Sequence, residues 1–254
     1  MARAWVTGDL HGDLGDGRLT AERWPEGQGL ARDDFLVVCG DFGLVWADPP
    51  LDQDERALAW LEAQPWTTLF VDGNHENHDL LDAMPVTEWH GGHVHVLPNH
   101  PHVVHLMRGQ VYEMGELGRW FCFGGASSHD VRGRKLGLDW WDRELPSEDE
   151  MEEGLANLAR VGFAVDYVIT HDCPTGVRRR ALRHCNDRRG RGDADELNDY
   201  LQSVSELIDP TRLKRWYFGH YHGDWRLYDP YAMMFHSVVP LGSAPGSVDG
   251  RGRP

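Results

Sequence analysis

Short runs of apolar, aromatic and β-branched residues recur along the chain, at 3–7, 35–39, 67–71, 103–107, 119–123, 165–170 and 216–218. Their composition and length predict strands. Other stretches repeat at helical period. Residues 52–64 place Ala57, Leu58 and Leu61 on one face, and 193–208 do the same with Leu197, Tyr200, Leu201, Val204 and Leu207 before Pro210. Ser147-Glu148-Asp149-Glu150, preceded by Pro146, spells a capping box, so a helix is expected from there to about Arg160, ahead of Gly162. The acids in that first turn suit the positive end of the helix. Strands alternate with helices early and cluster in the middle and near the end, which predicts an α/β chain of stacked sheets covered by helices. There is no internal repeat. Residues 242–254 are rich in Gly, Ser and Pro and are expected to form a loose tail.

Composition narrows this picture. The chain has 254 residues, of which 41% are hydrophobic, enough for one large core, and its 11 tryptophans supply large packing surfaces. The formal net charge of -16 argues against a broad duplex-binding face, because a phosphate backbone would be repelled, and makes nucleic acid an unexpected partner. It does not exclude a small phosphorylated substrate, since bound divalent cations would reverse the local field. Cys39, Cys122, Cys173 and Cys185 are far apart and form neither a disulfide framework nor a zinc pattern. Reduced thiols, an N-terminus with no apolar leader and no run near the ~20 apolar residues of a membrane helix point to a cytoplasmic protein with no membrane partner.

The charges are uneven. Seven arginines fall within 178–191, and 142–153 is strongly acidic. The acidic stretch is expected to be a solvated face. The basic one is either another such face or a cap-like segment, around 176–195, that steers anions.

Five motifs carry chemistry, each where a strand gives way to a loop. They are Gly8-Asp9-Leu10-His11-Gly12-Asp13, Cys39-Gly40-Asp41-Phe42-Gly43, Gly73-Asn74-His75-Glu76, Thr170-His171-Asp172 and Gly219-His220-Tyr221-His222. Asp9 and His11 are two apart, as are His220 and His222, so each pair can point to one side of an extended backbone. Carboxylate oxygen, imidazole nitrogen and an Asn carbonyl suit borderline divalent metals. The carboxylate of Asp41 can bridge two cations, and His75 is free to act as an acid. Any one motif is weak evidence, but the five in this order are specific. His75-Glu76-Asn77-His78 differs from a zinc-protease helix by one missing residue. The histidines of 90–105 are too irregularly spaced, in what is read as loop, to predict a further metal site.

In this set the sequence resembles the calcineurin-like metallophosphoesterase superfamily, from residue 8 to 222. Gly-Asp-Phe-Gly followed by Trp46, the run 70–77, Phe123-Gly124-Gly125-Ala126-Ser127 and Ile169-Thr170-His171-Asp172 are similar to an uncharacterised bacterial and phage branch. The resemblance implies two facing mixed β-sheets flanked by helices, a four-layer α/β/β/α sandwich, formed here by a domain at 1–241. It implies that Asp9, His11 and His222 hold one metal, that Asn74, His171 and His220 hold the other, and that Asp41 bridges them. Manganese is the pair it suggests, while the mixed ligands also admit Fe, Zn or Ni. A bridging hydroxide would then attack phosphorus in line, with His75 donating a proton to the leaving group.

The chain departs from the protein phosphatases of this superfamily. Leu44 and Val45 stand where their second motif has Asp and Arg, and Asp72 stands where an Arg precedes the third. Two phosphate-gripping arginines and the carboxylate that would orient His75 are therefore absent. Arg108, after a β-rich run, is the expected replacement grip beside Asn74, and Glu76, Asp48 or Asp130 the expected orienting acid. Fewer grips tilt the expectation toward a phosphodiester or nucleotide-like substrate, with a phosphomonoesterase or Ser/Thr-type protein phosphatase as the alternative. A non-catalytic scaffold on the same fold would be betrayed by lost ligands, and none is lost.

Overall fold

The structure is a computed structural model and describes residues 1–185 and 193–246. In chain order its elements are β1 (Ala4–Thr7), β2 (Phe35–Val38), α1 (Asp52–Glu62), β3 (Thr67–Phe70), α2 (His78–Asp82), β4 (Val86–Trp89), β5 (Gly92–Leu97), β6 (His100–Leu106), β7 (Gln110–Glu113), β8 (Arg119–Phe123), α3 (Glu148–Arg160), β9 (Tyr167–Thr170), α4 (Thr175–His184), α5 (Glu196–Leu207), β10 (Arg215–Phe218), β11 (Trp225–Tyr228), β12 (Tyr231–Met233) and β13 (Val239–Pro240).

These strands form two mixed sheets. One runs β13-β1-β2-β3-β6-β5-β4 and the other β11-β12-β10-β9-β8-β7. The centre of each is parallel: β1, β2, β3 and β6 in the first, and β8, β9, β10 and β12 in the second. Parallel strands covered on both faces have no solvent side, and Phe35–Val38, Thr67–Phe70 and Tyr167–Thr170 are buried at every position.

Three apolar clusters give the layers. Val6, Val37, Leu69, Trp120, Cys122, Ile169 and Tyr217 pack between the sheets. Leu58, Leu61 and Trp66 close the outer face of the first sheet under α1. Leu158, Val177, Ala181, Leu201 and Val204 seat α3, α4 and α5 on the outer face of the second. The order helix, sheet, sheet, helix is the four-layer sandwich expected from the sequence. Trp66, Trp120 and Trp216 are fully buried, and each indole N–H finds an acceptor: Thr68 Oγ1 at 3.1 Å, the Leu117 carbonyl at 3.1 Å and Thr170 Oγ1 at 2.9 Å. Burial therefore keeps the apolar gain, about 1.5–3 kcal/mol for a large side chain, without stranding a donor.

The predicted helices are present, with the last starting later, at Glu196 behind an Asp195 cap. The histidine-rich stretch is not loop: His93 and His95 lie in β5, and His100, His102 and His105 in β6, so strand pairing rather than loop geometry sets their spacing. Within the arginine-rich stretch, α4 packs on α5 and β11, burying Val177 and Ala181, and Arg180 lies 4.7 Å from the Tyr228 ring centroid. Arg188, Arg189 and Arg191, and the tail beyond 246, lie outside the described residues. The four cysteines are buried thiols. Among the described residues no helix is long and apolar enough to cross a membrane.

Candidate metal centre

The parallel strands of both sheets end at one edge of the sandwich, where ligands of open α/β sheets collect. Asp9 and His11 follow β1, Asp41 follows β2, Asn74 and His75 follow β3, His171 follows β9, and His220 and His222 follow β10. Asp9, Asp41, Asn74, His171 and His220 are buried, while His11, His75 and His222 are partly open to solvent.

Asp41 is central. Its Oδ2 lies 3.8 Å from His11 Nε2 and its Oδ1 3.1 Å from His171 Nε2, so its two oxygens face two different groups of ligands. On the first side, Asp9 Oδ2 is 3.3 Å from His222 Nε2 and 3.8 Å from His11 Nε2, and His11 and His222 approach to 3.0 Å through their Nε2 atoms. Ligand atoms of Asp9, His11, Asp41 and His222 all lie within 4.8 Å of one another. On the second side, His220 Nδ1 is 3.1 Å from Asn74 Oδ1, and the His171 and His220 rings stand 5.1 Å apart.

Supporting contacts fix these atoms. His171 Nδ1–H donates to the Cys39 carbonyl at 2.8 Å, which turns Nε2 toward Asp41. Asp9 Oδ1 accepts the His220 amide at 3.1 Å. Asp41 Oδ1 accepts the Asn74 and His75 amides at 2.8 and 2.9 Å. Phe235 stacks on His222, with centroids 4.8 Å apart. Gly73 and Gly219 permit this crowding: a Cβ at Gly73 would lie 2.1 Å from Asp41 Oδ1, and one at Gly219 would lie 2.2 Å from Asp9 Oδ1.

The donor set fits divalent cations. Asp9 Oδ2 and His171 Nε2 are buried without an aligned hydrogen bond, the state of atoms shaped for another partner. Burial would raise the Asp41 pKa, but the neighbouring His171 outweighs it and holds the carboxyl well below the usual range. Burial would likewise lower His171, but Asp41 and then Asp9 raise it to about 10. Two buried carboxylates thus draw positive charge to this edge, and a cation would supply it.

Arg108 is not brought to this centre. It is buried, and its Nε and Nη2 reach Asp72 Oδ2 at 2.9 and 2.6 Å, so the replacement of Arg by Asp at position 72 captures it. Leu44 and Val45 are buried apolar residues. None of the three acids expected to orient His75 does so. Glu76 accepts the Gly43 and Gly73 amides at 3.1 and 2.7 Å, Asp130 pairs with Arg134 at 2.6 Å, and Asp48 lies on the rim of a neighbouring cavity of about 310 Å³ that holds no expected ligand. The His75 ring instead stands edge-on to His11, 4.8 Å between centroids. Sequence reasoning missed Ser128, whose Oγ receives Asn74 Nδ2 at 3.1 Å, although it directly follows the noted Gly-Gly-Ala-Ser run. It also missed Arg18, which ties the end of β1 to the segment after β12 through the Gly8 and Phe235 carbonyls.

The chain is similar to a lariat debranching enzyme of Schizosaccharomyces pombe, 27% identical over 239 residues that cover 87% of this chain and 48% of the relative. It is similar also to a human lariat debranching enzyme, 24% identical over 249 residues, 87% of this chain and 42% of the relative. The chain therefore spans about half the length of these relatives. The calcineurin-like phosphoesterase family matches residues 2–224, from before the first ligand motif to beyond the last, and the chain belongs to that family.

Proposed function

We propose that this chain hydrolyses phosphodiester bonds of a small nucleotide-like substrate, using two divalent cations. The observation that carries this reading is the Asp41 carboxylate, with one oxygen toward His11 and the other toward His171. Asp9, His11 and His222 would hold one cation, and Asn74, His171 and His220 the other, with Asp41 shared. When bound, two cations neutralise phosphoryl oxygens and make water acidic enough to serve as nucleophile near neutral pH.

The protein groups then have separable tasks. Asp41 keeps the third loop in place by accepting the Asn74 and His75 amides while its charge faces both cation positions. The His171–Cys39 hydrogen bond keeps that imidazole in one tautomer. His75 is partly open to solvent and stands beside the ligands rather than among the acids, the place for a group that protonates a leaving oxygen.

A diester is favoured over a monoester for two reasons. Arg108, the expected replacement grip, and Arg18, which lies behind the first ligand loop, are both engaged by protein groups, so neither grips the extra charge of a free monoester. The two relatives named for lariat debranching support phosphodiester chemistry. Manganese is the proposed metal by the family resemblance; the mixed oxygen and nitrogen donors admit it along with Fe, Zn or Ni.

The test is turnover of bis(p-nitrophenyl) phosphate and of p-nitrophenyl phosphate by metal-stripped protein reloaded with Mn²⁺, beside Asp41→Asn. The expected result is metal-dependent turnover, faster on the diester, and lost in the variant. Preference for the monoester would overturn the substrate assignment, and turnover retained by Asp41→Asn would overturn the site.

A further inference from the structure

One guanidinium reaches Asn74 by two routes. Along the first, Arg108 holds Asp72 Oδ2 through Nε and Nη2, while His105 Nε2 meets Asp72 Oδ1 at 3.1 Å. The Asp72 carbonyl also accepts the Gly125 amide at 2.9 Å, and a Cβ at Gly124 would strike Asp72 Oδ1 at 2.1 Å. Asp72 is thus pinned at side chain and backbone, and the chain has one residue, Gly73, before Asn74.

Along the second route, Arg108 Nη2 donates to the Arg143 carbonyl at 2.8 Å and lies 3.4 Å from that of Glu144. Glu144 is buried, and its Oε2 accepts the Ser128 amide at 3.0 Å. The Ser128 hydroxyl oxygen, held in place by that backbone bond, accepts from the side-chain amide of Asn74, through Nδ2, at 3.1 Å. The Asn74 amide is thereby oriented. Its N–H₂ faces Ser128 and its carbonyl oxygen faces His220 Nδ1.

We propose that Arg108 and Ser128 are positioning residues that aim the Asn74 carbonyl oxygen at the cation shared with His171 and His220. Neither touches substrate. Arg108 fixes where the Asn74 backbone stands, and Ser128, anchored through its amide on Glu144, receives the Asn74 N–H₂ and so leaves the carbonyl oxygen pointing inward. This rests on the two-cation reading above, and it predicts that the two cations respond differently to the same substitution.

The test is calorimetric titration of metal-stripped protein with Mn²⁺. Wild type is expected to show two binding events. Ser128→Ala leaves the fold's core untouched and should weaken one event by ~10–100-fold, the usual cost of losing such a partner, while leaving the other unchanged. Excess Mn²⁺ should restore its diester turnover. Arg108→Lys should weaken the same event, and combining it with Ser128→Ala should cost less than the two changes taken separately, because both act on one ligand. Equal weakening of both events, or two events unchanged in Ser128→Ala, would overturn the positioning role. A wild type that binds a single ion would instead sink the two-cation reading, and the role with it.

Discussion

His11, Asp41, His220 and His222 all have positive φ, between 45° and 64°. Non-glycine residues adopt this conformation rarely, at a cost of about 1–3 kcal/mol each, and it persists only where the surroundings over-determine it. Here the surroundings are backbone bonds between motifs. Both the Leu10 and His11 amides donate to the Asp41 carbonyl, at 3.0 and 2.8 Å. His75 is different, because its contribution to the loop is its amide, which any residue supplies. His75→Ala should therefore keep both cations in a metal-content assay and lower kcat by ~10²–10⁴-fold, the usual value of general acid help. Metal lost together with activity would place the ring among the ligands.

At the scale of elements, α3 and α5 both enter through a reciprocal capping box, and that of α3 is the one spelled in the sequence. Ser147 Oγ accepts the Glu150 amide at 3.3 Å and Glu150 Oε2 accepts the Ser147 amide at 2.7 Å, the reciprocal capping box expected from the sequence. Ser147→Ala should cost about 1 kcal/mol and lower Tm by roughly 2–4 °C in thermal unfolding. Glu150→Ala should cost more, because Glu150 also pairs with Arg143 at 2.8 Å. An equal loss in the two variants would mean that the ion pair contributes nothing. What was legible in the sequence follows from the same local physics. Strands such as Phe35–Val38, buried throughout, announce themselves by composition alone, and capped periodic helices do so by pattern. The elements that went unread are short or weakly apolar. The strand Val86–Trp89 is largely exposed, α2 has five residues, and α4 hides Val177 and Ala181 among arginines. The ligand motifs were legible because each is contiguous. The fate of Arg108 was not, since its partner Asp72 is 36 residues away and only the pairing of β3 with β6 brings them together.

The whole molecule places its ionisable groups where burial sets opposing pH responses. His78 in α2 and His95 in β5 are both almost wholly buried, and burial lowers each to about 4, helped by Arg108 for His78 and by His105 for His95. An unfolded chain protonates its histidines near 6.5. As pH falls from 6.5 to 4 the unfolded state therefore takes up protons that the folded state refuses, and stability is lost across that window. For His78 the loss amounts to about 3 kcal/mol. Glu76 and Glu144 act the other way. Burial raises them to about 8 and about 7, so the folded state gains stability as pH falls through those values toward 4.5. The wild-type curve alone thus mixes both signs, and a comparison isolates one. In chelator-treated protein, urea unfolding of wild type and His78→Gln at several pH values should show the wild-type advantage shrinking steadily between pH 6.5 and 4. Parallel curves across that window would mean that His78 titrates alike in the folded and unfolded chain, and that its burial beside Arg108 and Asp72 does not govern its charge.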